Sequence, residues 1–320
     1  MLLEKMKGGL LGLAVGNALG VPVASQPRSE RLKDPVTQMR GWGTHHQPPG
    51  TWSDATGISL AALDSLANGF DPEDMMEHFS RWMDGEYRPY GEVFGAENST
   101  VRAVERYRRG VSAEECGGTE ATDHDNGSLI RMLPMAYALY SKFGANVCRN
   151  AEARGQIGRY SALTHAHPQV KIACQMYVGT ACALLSGQRI YAATQEGVLE
   201  TARAYLGTQE EQELDAWMRL ADLDALCRLP TPLIRSSSYV VHTLEAALYC
   251  LNTTKSYAEC VLKAVNLGDD TDAVGAVTGA LAGICYGEKG IPAAWRMQIP
   301  RRGRMEELLK TLYHRSLNVK

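Results

Sequence analysis

Apolar residues recur every three or four positions along most of the 320-residue chain, the period of helices that each bury one face. No segment alternates β-branched with polar residues between hairpin turns, so the pattern predicts helix throughout and no sheet. The expected helices cover 2–19, 57–66, 71–83, 99–108, 128–140 and 168–185, then 190–206, 210–220, 239–251, 257–265, 271–286 and 305–317. Asp71-Pro72 is one recognisable start, with an acceptor at the cap and proline at the first helical position. The stretch 30–49, rich in Gly, Pro and His, reads as an ordered loop leading to Ser53. Without a linker, repeat or low-complexity tract, residues 1–320 are expected to form a single compact all-α domain.

The helix over 271–286 is the most informative. Gly275, Gly279 and Gly283 recur every fourth residue beside Ala276 and Ala280, leaving a face with almost no side chain against which a second helix can close. Asp269, Asp270 and Asp272 crowd its start. One acceptor suffices to cap a helix, and further exposed acids would be ordinary loop residues. Three carboxylates in a buried site would instead raise one another's pKa unless a cation compensated, and hard oxygen ligands suit Mg²⁺, Mn²⁺ or Ca²⁺. A second oxygen-rich start, Ser53, Asp54 and Thr56, precedes the apolar helix near 57–66. Two such starts can converge on one metal.

Composition narrows the partners. A formal net charge of −3 provides no basic field for nucleic acid. The eight cysteines are scattered without CxxC pairs, as expected for reduced, buried thiols in a cytoplasmic protein. Lys5 and Lys7 before an apolar run ending Val-Ala-Ser imitate a leader peptide. Asn17 interrupts that run and its glycines are spaced for helix packing, so it reads as a core helix. No other stretch has the length of a bilayer span, and no membrane role is expected. No exposed heptad seam is evident, which makes a monomer the default.

Three polar stretches are candidates for binding. Asp125-Asn126-Gly127-Ser128 opens a helical stretch carrying Arg131, and the free N–H groups of such a turn can receive phosphate oxygens, although the same residues also make a plain turn and cap. His165 and His167 could ligate zinc with His45 and His46, a weaker reading beside so many oxygen ligands. Tyr239, with His242 on the next turn, offers a ring on which a purine could stack; core packing is the alternative.

The segments GGLLGLAVGNALGVPVAS, KDPVTQMRGWGTHHQPPGTWSDAT, DNGSLIRMLPMA, SALTHAHP, SSSYVVHTLEAALYCL and AVNLGDDTDAVGAVTGALAGICYG together resemble the ADP-ribosylglycohydrolase family, which includes the dinitrogenase-reductase-activating glycohydrolases. The resemblance covers about Lys5 to Gly287. It implies an all-helical fold with a central metal-binding cleft, and Mg²⁺-dependent removal of ADP-ribose from a modified protein by attack of water at the anomeric carbon. Carried over residue by residue, it implies metal ligation by Ser53, Asp54, Asp270 and Asp272, with Asp270 or Asp269 taking the proton. It further implies substrate contacts from Asn126, Gly127 and Ser128, and a ribose-positioning role for His165.

The chain also departs from that pattern. Ala55 stands where a metal-binding acid is usual, and Ala24 where a glutamate closes the first motif. Ala273 replaces a threonine, while His242 and Asn17 replace aspartates. The remaining acids support one Mg²⁺ or two, with Mn²⁺ as an alternative. Three readings follow: an active ADP-ribosyl hydrolase, a weakened relative that binds ADP-ribose without efficient cleavage, and a hydrolase of another ribosyl metabolite.

Overall fold

The structure is a computed structural model that describes residues 1–90, 94 and 98–317. Its first helices are α1 (Leu2–Gly20), α2 (Arg28–Lys33), α3 (Asp54–Leu66), α4 (Pro72–Met83) and α5 (Asn98–Arg108). These are followed by α6 (Leu133–Phe143), α7 (Ala151–Ala162), α8 (Pro168–Leu185), α9 (Ile190–Tyr205), α10 (Met218–Ala221) and α11 (Leu223–Arg228). The chain ends with α12 (Val240–Asn252), α13 (Tyr257–Val265), α14 (Thr271–Gly290), α15 (Ala293–Gln298) and α16 (Arg302–Leu317). Among the described residues there is no strand, only the isolated bridges Gly118 to His165 and Asp125 to Tyr239. The all-α expectation holds.

The α1–α14 pair is the axis of the fold. The two helices run antiparallel with backbones almost touching: a Cβ on Gly8 would lie 2.3 Å from Gly283 O, one on Gly12 2.3 Å from Gly279 O, and one on Gly16 2.0 Å from Gly275 O. Glycine is required at these positions because no side chain fits between the helices. The packing also brings polar groups to the pair, where Tyr137 Oη and Tyr257 Oη each donate at 2.8 Å, to Met6 O and Gly12 O. At the far end Thr271 Oγ1 donates to Gly20 O at 2.8 Å, so the end of α1 is fixed against the start of α14. The segment Leu2–Val23 is long and apolar enough to cross a membrane, but 94% of its most apolar window is buried inside the protein.

Four helices were not legible in the hydrophobic pattern: α2, α7, α11 and α15. Helix α7 is mostly Ala, Gly and polar residues and is started by Asn150, whose side chain accepts from Ala153 N at 3.0 Å. The stretch 128–140 divides into a 3₁₀ turn, Leu129–Arg131, and α6, because Pro134 begins a new helix. The expected helix over 210–220 is largely the 3₁₀ segment Glu211–Trp217. All eight cysteines are free thiols.

Candidate active site

The starts of α3 and α14 meet where α1 ends. Ser53 and Asp270 stand at the N-cap positions of α3 and α14, yet neither side chain caps its helix. Ser53 Oγ donates instead to Asp272 Oδ2 at 2.6 Å and accepts from Asn17 Nδ2 at 2.8 Å. Asp270 Oδ2 accepts from Asn126 Nδ2 at 2.7 Å. Asn17, fully buried, joins all three helices. Its Oδ1 accepts from Ser53 N at 2.8 Å and Thr56 Oγ1 at 2.9 Å, while its Nδ2 also reaches Asp272 O at 3.3 Å. The loop before α14 is held equally firmly. Gly268 and Asp269 both have positive φ, and Asp269 exchanges backbone bonds with Ser25 and Gln26 at 2.8 Å each. Arg28 clamps the carbonyls of Leu267, Thr231 and Ile234, and Asp270 N donates to Ser236 O at 3.0 Å.

Three carboxylates share this space. Asp54 is 5% exposed and Asp272 7%, while Asp270 is half-buried. Burial first, and then the charge of Asp272, push the Asp54 carboxyl up to about 7, against the opposing pull of Arg88. Burial and Asp272 also raise Asp270 well above the ordinary carboxylate range. Carboxylates that resist ionisation lack positive charge. Asn126 Oδ1 points the same way: it is buried with no hydrogen-bond partner, an acceptor left open beside these acids. Hard oxygens, uncompensated negative charge and an orphaned acceptor fit a divalent cation. Among the described residues no group of three or more His, Cys, Asp or Glu side chains is placed to hold a metal ion by itself, so Ser53, Asn126 Oδ1 and water would have to fill the remaining positions.

Residues 1–319 match the sequence profile described as ADP-ribosylglycohydrolase. The chain belongs to the ADP-ribosylglycohydrolase family. It is 30% identical over 319 residues to the ADP-ribosylarginine hydrolase of Serratia proteamaculans, covering 98% of this chain and 80% of that protein. With the ADP-ribosyl-[dinitrogen reductase] glycohydrolase of Rhodospirillum rubrum it shares 27% identity over 296 residues, covering 91% and 89% of the two chains. A solved chain of an ADP-ribosylglycohydrolase-related protein complex superposes with a TM-score of 0.79 at 29% identity, covering 98% of this chain and 99% of that one. The protein is thus a glycohydrolase, and its family's chemistry is hydrolytic removal of ADP-ribose from a modified residue.

The structure brings Ser53, Asp54, Asp270, Asp272 and Asn126 together and sorts the other family-derived positions. Asp269 is exposed, on the outer side of the loop that holds Asp270. The fully buried Ser128 hydroxyl is bonded to Ser161 Oγ at 2.8 Å and lies 3.1 Å from Cys174 Sγ, so it anchors the turn to the core. Gly127 N already donates to Asp125 Oδ1 at 3.1 Å. A Cβ on Gly127 would come within 2.7 Å of Thr100 Oγ1 and His165 Cε1, so the turn admits only glycine there. His165 is fully buried with both ring nitrogens engaged, Nε2 with Asp125 Oδ1 at 2.6 Å and Nδ1 with Thr164 Oγ1 at 2.7 Å. Those two bonds make it a positioning residue for Asp125. His167 accepts Gln169 N at 3.2 Å as the cap of α8, and among the described residues these histidines are not gathered into a metal-binding group. Tyr239 is half-buried, its Oη bonded to Gln169 Oε1 at 2.7 Å and its ring 4.5 Å from that of His124 and 5.0 Å from that of His242.

Sequence reasoning missed Asp125, which accepts from Ser99 Oγ, His165 Nε2 and Gly127 N. Burial alone would raise its pKa, but the His165 contact, with Ser99 and Gly127, outweighs that and holds it well below the carboxylate range. The Asp125 carboxylate takes the proton carried on His165 Nε2 as its hydrogen-bond donor. Arg131 backs the same turn, donating to Gly127 O at 2.8 Å from between the rings of Phe79 and Tyr160. Asn17 and Arg88 were also missed as site residues. The signals for Asn17 were a lone amide in an apolar run and its place where the family resemblance has an aspartate. Ala24 and Ala55 are both buried.

Proposed function

We propose that this protein is a divalent-metal-dependent hydrolase that removes ADP-ribose from a modified arginine side chain of a protein. The observation that carries this reading is the diversion of Ser53 and Asp270 from helix capping into one buried oxygen cluster with Asp54 and Asp272. Those four residues would hold Mg²⁺, with Mn²⁺ as the substitute. When bound, the cation supplies Lewis-acid activation of water and offsets developing negative charge.

The chain's own residues do the rest. Asp270, aimed by Asn126, accepts the proton of the water that adds to the anomeric carbon as the carbon–nitrogen bond breaks and its electron pair leaves with the side-chain nitrogen. Asp272 and Asp54 stabilise the oxocarbenium-like charge. His165, Asp125 and Arg131 keep the 125–127 turn in register, so that Asn126 faces Asp270. Tyr239, with His124 and His242, offers the adenine a platform at the mouth. We place this activity in one domain spanning 1–320, acting as a monomer in the cytoplasm, where eight free thiols stay reduced.

Buried Ala24 and Ala55 favour a second reading, binding of ADP-ribose with little cleavage, since each removes a carboxylate that the family resemblance implies. An ADP-ribosyl-arginine peptide separates the two. Release of free ADP-ribose with Mg²⁺ present, abolished by EDTA and restored by added Mn²⁺, is the expected result. Tight ADP-ribose binding without release would select the second reading, and release unaffected by EDTA would overturn the metal-dependent one.

Asp54 adds a pH signature. Its carboxyl rises from the ordinary 3.8 to about 7 on folding, so the folded chain holds that proton more tightly than the unfolded chain. The stabilisation is complete below about pH 4 and is lost as pH rises through about 7, a difference of roughly 4 kcal/mol. Chelated wild type is therefore expected to lose melting temperature between pH 5 and pH 8 relative to Asp54→Asn, and Mn²⁺ at pH 8 to restore it. Parallel melting curves for the two proteins across that range would contradict the assignment.

A further inference from the structure

Arg88 is a buried cation for which the chemistry above has no use. It follows α4 and is fully buried. Nη1 donates to Phe94 O at 3.0 Å and the guanidinium lies 4.7 Å over the Trp82 ring, but Nε and Nη2 are buried without partners. Among the described residues no carboxylate lies within ion-pair distance of it. An uncompensated buried guanidinium is strongly destabilising, so its compensation has to come from farther away. Among the described residues, Asp54 is the acid whose charge acts on Arg88, and Arg88 the cation whose charge acts on Asp54.

The packing explains how the two are kept together. Gly57, on the first turn of α3, faces Trp82: a Cβ there would sit 3.0 Å from Trp82 Nε1 and 3.2 Å from Tyr87 O. The missing side chain lets the Trp82 ring, with Arg88 stacked on it, press against the helix start that carries Asp54. Ala55, the next residue on that start, is buried and uncharged.

We infer that Arg88 is a built-in cation of the acid site, so that three carboxylates are balanced by one fixed guanidinium and one divalent ion, and the site takes a single metal. The inference rests on the metal site proposed above. A guanidinium stays charged at every working pH and is not removed by chelators. Part of the positive charge the acids need is therefore permanent, while the remainder arrives with the ion.

The test is titration of the metal-free full-length protein with Mn²⁺ alone, read by calorimetry and by the electron paramagnetic resonance of free Mn²⁺. One ion per wild-type chain is expected. Arg88→Met keeps an apolar stem over Trp82 without the charge, and removing a cation beside the acids is expected to tighten Mn²⁺ binding by at least about tenfold. Arg88→Lys, which keeps the charge, stays within about threefold of wild type. A purely structural Arg88 would lower the melting temperature of both variants without tightening either. Two ions per wild-type chain would overturn the inference even if Arg88→Met did not fold, as would unchanged affinity in a folded Arg88→Met protein. No Mn²⁺ binding by wild type would remove the metal site together with the inference; binding of one ion with equal affinity in Arg88→Met would remove the inference alone.

Discussion

Asp270→Asn is expected to cut ADP-ribose release at least about a thousandfold while raising the melting temperature of the metal-free protein at pH 8. The first effect follows from the role proposed for the carboxylate: positioned general bases contribute on the order of 10² to 10⁴ in rate, and the same substitution removes a ligand from the cation. The second follows from its surroundings. Burial and Asp272 push the Asp270 carboxyl well above its ordinary range, so at pH 8 wild type either holds a proton that the unfolded chain would release or carries a charge that its site disfavours. Both cases destabilise the folded state. The neutral amide escapes both, and it can turn its oxygen toward Asn126 Nδ2, which now bonds Asp270 Oδ2 at 2.7 Å.

The two effects together discriminate. A residue needed only for folding would lose activity and stability in parallel, whereas one strained for a function trades them against each other. Mg²⁺ is expected to raise the melting temperature of wild type and leave that of Asp270→Asn unmoved. Turnover close to wild type in the variant, or a lower melting temperature without metal, would remove Asp270 from the catalytic role.

The acids of the two helix starts were legible in the sequence because their chemistry is local: three aspartates before a glycine-spaced helix, and Ser-Asp before another, exceed what capping needs. What joins the two starts was not legible. Asn17 bonds Ser53 and Asp272, which lie 36 and 255 positions away, and Asn126 meets Asp270 across 144 positions. No periodicity encodes such pairs. The turn at 125–128 shows the opposite failure, since its composition announced a binding turn but carried nothing on which side chain faces the cleft. Ser128 looks inward, while Asp125, which was passed over, lies at the centre of the hydrogen bonds. Helix α7 escaped for a simpler reason, as it buries too few apolar residues to leave a periodic stripe.

Gly279→Ala is expected to destabilise the protein by at least about 4 kcal/mol, an exceptional loss for the addition of one methyl group. The added Cβ would lie 2.2 Å from Gly12 O and 3.3 Å from Gly16 Cα. Both are backbone atoms of a helix buried on the far side as well, so no side chain can rotate away. Relief requires α1 and α14 to part, and that movement would pull Gly12 O from Tyr257 and separate Asp272 from Asn17 and Ser53. The structural loss therefore spreads to the site, and divalent-cation binding is expected to weaken in whatever fraction still folds. Gly155→Ala is the matched control. It lies exposed within α7 with nothing within 4 Å of an added Cβ, so the same methyl group is expected to stabilise by about 0.5–1 kcal/mol through helix propensity and the lost freedom of the unfolded chain. Chemical denaturation of the two variants measures both. A Gly279→Ala protein within about 1 kcal/mol of wild type would show that the α1–α14 contact yields more easily than the glycine ladder implies.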